Sequence, residues 1–103
     1  MSVMDFTLKD SIVIPEDVLF RELDDEAVLL NLKTGIYFGL NPIGLQVWQL
    51  ISQGLSLGRV LDTMTRDYDV EKGMAQQDLF DLCRQLCANG LGEVLPAAAD
   101  RAL

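Results

Sequence analysis

The sequence predicts an α+β domain of the winged helix-turn-helix type, a three-stranded antiparallel N-terminal sheet followed by three helices. Three observations predict it. Residues 18–23, 27–32 and 36–40 are runs of β-favouring side chains, and the turn signals Asp24-Asp25-Glu26 and Lys33-Thr34-Gly35 separate them. Beyond residue 40 the apolar positions adopt the 3.6-residue period of helices. The pair Asn41-Pro42 marks the change, an N-cap residue followed by the proline that suits a first helical position.

Residues 1–10 show little periodicity and are expected to be a flexible N-terminus, and residues 11–14 read as a marginal strand halted by Pro15, Glu16 and Asp17. The next two runs then form a hairpin about the acidic turn. Gly35 supplies the positive φ that the second tight turn needs, so the run from Ile36 through Tyr37, Phe38 and Gly39 to Leu40 returns as the third strand of a meander. The first helix is expected over residues 42–53, with Ile43, Val47, Leu50 and Ile51 sharing a face and Gly54 closing it. Ser56 caps a second helix carrying Leu57, Val60, Leu61 and Met64, which ends near Tyr68. A third begins at Asp69 or Val70 and runs to about Asn89, where Gly90 stops it before the apolar run 91–95. One domain over residues 11–95 is therefore expected, with 96–103 as a C-terminal tail.

Composition narrows the function. Half of the 103 residues are hydrophobic and 23% are charged, enough apolar surface for a core. Eight Lys and Arg oppose sixteen Asp and Glu, and the net charge of -8 is the wrong sign for a nucleic-acid or anionic membrane partner. There is no histidine, which removes the commonest general base and the commonest metal ligand. Two cysteines are too few for a secreted disulfide framework, and no signal peptide or apolar span is visible, so a cytoplasmic protein is expected.

Cys83 and Cys87 lie four apart on the third helix, which makes half a metal site and leaves a structural role as the expected one. No metal, cofactor or catalytic residue is expected. The cluster Asp24, Asp25 and Glu26 sits in a turn too exposed to shift a carboxylate toward catalysis. Asp10, Ser11 and Ile12 resemble the phosphopantetheine attachment triplet of carrier proteins, but they precede a strand-like run rather than open a second helix. A DNA-binding reading of the second and third helices fails on charge, because Asp78 and Asp81 on the recognition helix repel phosphate.

The third strand of the meander carries more information. It is last in the sheet, and it lacks the Lys, Pro or inward charge that usually guards an edge, while Gly39 leaves room for another backbone. Such an edge accepts a guest strand. It is alternatively covered by residues 91–95 or by a second copy of the chain. On a wheel turning about 100° per residue, Leu79, Leu82 and Leu86 cluster toward the core and Phe80, Cys83, Arg84 and Cys87 sweep to one side. If that side faces the edge, a peptide bonded along Ile36, Tyr37, Phe38 and Gly39 would meet Phe80, Cys83 and Cys87, with Arg84 at the rim. The plainer alternative packs Phe80 against the first helix near Trp48.

The order of these elements and their local wording resemble the PqqD-like family. The resemblance covers about residues 14–94. It rests on the segment from Glu26 to Leu32, the run Gly35-Ile36-Tyr37-Phe38-Gly39-Leu40-Asn41, Trp48, Gly54, the junction at Tyr68 to Val70, Asp78, and Asn89-Gly90-Leu91. The resemblance implies a non-catalytic recognition element for ribosomally made, modified peptides. Such an element binds a precursor's leader segment as an added strand beside the third strand and the third helix, and presents it to a modifying enzyme. That client is a radical SAM enzyme in PQQ-like pathways or a leader peptidase in lasso-like ones, and the run Tyr37-Phe38-Gly39-Leu40-Asn41 resembles lasso-type and general PqqD-like members more than the PQQ protein itself. A monomer, or a weak homodimer through the sheet edge, is expected. The competing class is an acidic winged-helix transcription regulator or a protein-interaction subunit.

Overall fold

A computed structural model describes residues 6–96. Its elements run β1 (Ser11–Val13), β2 (Val18–Leu23), β3 (Glu26–Asn31), β4 (Tyr37–Leu40), α1 (Pro42–Ser52), α2 (Leu57–Asp67), α3 (Lys72–Ala88) and β5 (Glu93–Leu95). The α+β architecture is the one the residue pattern predicts. β2, β3 and β4 form an antiparallel sheet in that order, and β1 pairs with β5 in a separate two-stranded ribbon. The run 91–95 thus finds its partner in β1 and leaves β4 alone.

Local chemistry accounts for the junctions. Asp24 takes a φ of 59° in the two-residue turn between β2 and β3, and Gly35 takes 77° before β4. The Asn41 side chain accepts the Gly44 N–H at 2.8 Å, and Pro42 begins α1 without a donor to lose. Ser56 caps α2 by accepting from the Arg59 N–H, and such caps contribute about 1 kcal/mol each. α3 starts at Lys72, later than Asp69 or Val70, because Tyr68 is extended and the Val70 N–H turns back onto the Tyr68 carbonyl.

The core gathers Leu29 from the sheet, Val47 and Ile51 from α1, Leu57, Val60 and Leu61 from α2, and Leu79, Cys83 and Leu86 from α3, each no more than 1% exposed. Alternation along β3 sends Ala27, Leu29 and Asn31 inward and leaves Glu26, Val28 and Leu30 on the outer face. Of the N-terminal stretch expected to be flexible, residues 6, 8 and 10 pack against the rest of the fold while Thr7 and Lys9 are exposed. Phe6 is buried, its ring lies 5.8 Å from that of Phe80, and the Leu8 carbonyl accepts the Gly58 N–H. Residues 1–5 and most of the expected tail, 97–103, lie outside the described residues.

Candidate functional site

The β3–β4 register pairs Leu29 with Phe38 and Ala27 with Leu40, and it continues into Asn31, whose N–H donates to the Ile36 carbonyl at 2.9 Å. Bonded and non-bonded pairs alternate in an antiparallel ladder, so Phe38 and Leu40 turn their main-chain groups toward β3. Tyr37 and Gly39 turn theirs away. Among the described residues no strand lies on that outer side. Two N–H donors and two carbonyl acceptors therefore face outward in a row. A Cβ built on Gly39 would meet nothing within 4 Å, and Tyr37 is 71% exposed, so a second backbone has clear approach.

Beside this edge lies a groove of about 380 Å3. Phe38, Gly39 and Leu40 form one wall, Asp78, Leu79 and Leu82 of α3 the other, and the start of α1 closes one end. The structure turns the Asp78–Leu82 flank of α3 toward β4, opposite to the flank expected there. Ala75, Leu79, Cys83 and Leu86 make the buried stripe at helical spacing. Cys83 is wholly buried in it, Phe80 is half-buried against Phe6 rather than against Trp48, and Cys87 is half-buried on that same side. Arg84 is exposed and donates to Asp81 at 3.2 Å. Of the expected site residues, then, Phe38 and Gly39 line the groove, whereas Tyr37 offers the edge its main chain and keeps its side chain on the opposite face of the sheet beside Val28 and Leu30. Ile36 has no main-chain group to spare, since its carbonyl accepts the Asn31 N–H and its own N–H donates to Thr34 Oγ1, and the α3 set lies elsewhere. Trp48 stacks instead on Phe20 of β2.

Burial pushes the Cys83 thiol up to about 12, Cys87 beside it adds to the rise, and Arg84 opposes it. Burial also raises the Cys87 thiol, with a smaller push from Glu93. Neither is a nucleophile near neutrality. No group of three or more metal-ligating side chains occurs among the described residues, and no helix there is long and apolar enough to cross a membrane.

Asn31 holds the two walls in register. Its buried amide nitrogen donates to the Asn89 and Gly90 carbonyls at the end of α3, at 3.2 and 3.1 Å. Its oxygen accepts the Lys33 and Thr34 N–H groups of the turn that leads into β4, at 2.9 and 3.2 Å. One side chain thus ties the edge hairpin to the C-terminus of α3. Gly90 must be glycine here, since its φ is 71° and a Cβ would stand 2.6 Å from the Asn31 nitrogen. A buried-looking strand ending in a polar residue was the available signal for Asn31, but its partners lie 58 and 59 positions away.

With this geometry in hand, likenesses to known proteins fall into place. The model of the family described as coenzyme PQQ synthesis protein D (PqqD) matches residues 26–91, which span β3 to the end of α3. The fold is similar to a solved chain described as TbiB1 in complex with the TbiA(beta) leader peptide, at 36% identity and a TM-score of 0.74, covering 78% of this chain and 93% of that one. It is similar also to lasso peptide synthetase B1 complexed with the leader peptide, at 28% identity and a TM-score of 0.73, covering 84% of this chain and 99% of that one. No curated protein matches.

Proposed function

The chain belongs to the PqqD family, and from that membership we propose that it is a non-catalytic binder of the leader segment of a ribosomally made precursor peptide. The leader joins the sheet as a strand beside β4, lays alternate side chains into the groove against Asp78, Leu79 and Leu82, and is thereby delivered to a modifying enzyme. The observation that carries this is that, among the described residues, no strand lies on the outer side of β4, beside a groove walled by Asp78, Leu79 and Leu82. Four main-chain bonds at about 1 kcal/mol net each, with two apolar side chains at about 2 kcal/mol each, set the affinity on the micromolar scale.

We infer further that the client is a leader peptidase of a lasso-type pathway rather than a radical SAM enzyme, and that the work is done in the cytoplasm. The likeness to lasso peptide synthetase B1 supports the client, and two free cysteines suit a reducing compartment. The chain is a monomer or a weak dimer through β4, and leader binding dissolves such a dimer because both need the same edge.

The test is an amide-shift titration with the synthetic leader of the precursor encoded beside this chain. Shifts concentrated at Tyr37, Gly39 and Leu82 are expected. Saturable binding that leaves those three amides unmoved defeats the proposal.

A further inference from the structure

The groove beside β4 does not end at α1. Ile43, Met64 and Asp78 line it and also line a second pocket of about 350 Å3, between the C-terminal end of α2 and the first turns of α3. Its walls are apolar and open to solvent: Ile43 is 44% exposed, Val70 48% and Met74 63%. Its shape is held in advance, because the Tyr68 hydroxyl donates to Gln46 Oε1 while Gln46 Nε2 donates to Asp67 at 2.8 Å. Three carboxylates, Asp69, Glu71 and Asp78, stand round it. The ion pairs among the described residues are Lys33 with Asp17 and Arg84 with Asp81, so none neutralises these three. The Glu71 side chain makes no capping bond to α3, and Lys72, the nearest cation in sequence, is not part of the lining. The C-terminal end of α2 adds partial negative charge and the N-terminal end of α3 offsets it, so the carboxylates set the sign.

We propose that the guest peptide runs on past β4 into this second pocket and is read there by an apolar side chain flanked by lysine or arginine. The inference rests on the strand-addition reading above and deepens it by naming the chemistry of one part of the peptide. Two observations single out this occupant. The pocket is continuous with the edge groove through three shared residues, and its rim carries the charge that a basic segment complements. A basic occupant gains the attraction of all three carboxylates, a neutral one forgoes it and an acidic one is repelled.

The experiment is selection of random 16-residue peptides displayed on phage against the intact chain, followed by synthesis of the enriched sequences. Enrichment of Lys or Arg within a few positions of a large apolar residue is expected. Exchange of those cations for Glu should weaken binding by about tenfold in low salt and much less in about 0.5 M salt. The same preference should vanish against the combined variant Asp69→Asn, Glu71→Gln, Asp78→Asn, whose exposed side chains leave its melting unchanged. A second variant, Met74→Ser, should weaken binding while the preference for cations persists. Enriched peptides that move the Tyr37 and Gly39 amides without any basic preference overturn this inference and leave strand addition standing. Enriched peptides that move neither amide, or no enrichment at all, overturn both.

Discussion

Among the described residues the sheet has two open edges, and they differ in what lies beside them. β2 and β4 each flank β3, so each turns alternate main-chain groups to the outside. β2 carries Arg21 and Glu22, and its one large aromatic, Phe20, is stacked on Trp48. Charge in the strand discourages pairing with another chain. β4 carries no charge, includes a glycine with open space above it, and runs alongside a groove walled by α3. The difference teaches that an unpaired edge supplies affinity only in general terms. A wall next to it makes the affinity selective, because alternate side chains of the guest then have pockets to fill.

The largest effect should come from unfastening the wall from the edge. Asn31→Ala removes four hydrogen bonds from a buried position, and a loss of about 2–3 kcal/mol in chemical denaturation is expected. Gly90→Ala should approach that loss by pressing a methyl on the same side chain. An unchanged midpoint for both would mean that β4 and α3 are held in place by something other than this clamp.

Next in size is the contrast between the edges themselves. Tyr37→Pro deletes an outward N–H at the first position of β4, where the ladder to β3 has nothing to lose. Leader binding measured by calorimetry should fall by at least about tenfold with melting nearly unchanged. Glu22→Pro does the same to an outward group of β2 and should leave leader affinity within about twofold. Equal losses from the two prolines would break the comparison.

A smaller effect per pH unit reports on the buried stripe of α3. The folded chain keeps Cys83 protonated where the unfolded chain ionises it, so its contribution is whole below its ordinary value of 9.0 and is lost as pH rises toward about 12. In that window stability should fall by about 1 kcal/mol per pH unit more in the natural chain than in Cys83→Ala. Matching slopes would put the thiol in contact with water rather than in the buried stripe of α3. Below pH 8, neither cysteine should react quickly with a disulfide reagent until the chain unfolds.

Turns and caps were legible because their causes are local. Asn41-Pro42, Ser56 and Gly35 each act on groups within a few positions, and each falls where the residue pattern puts it. The lack of guards on β4 was legible as well, since the absence of charge from Tyr37 to Leu40 is a property of four consecutive residues, but whether residues 91–95 cover that strand was not. The wall was not. A helical wheel orders the α3 residues round an axis but has no information on which side of that axis the sheet stands, so the flank with Asp78 and Leu82 could not be told from the one with Phe80 and Cys87. Phe6 settled the matter by occupying the Phe80 side, from a segment whose pattern gave no sign of packing.

The amino-acid order by itself determined the elements, their caps and an edge strand free of guards, because periodicity, turn chemistry and charge act over a few residues. Tertiary structure alone decided that β5 goes to β1, that Asn31 reaches across to the end of α3, and that Asp78 and Leu82 face the edge. Those outcomes depend on contacts between segments tens of residues apart, where the whole core competes for each position and no local pattern records the result.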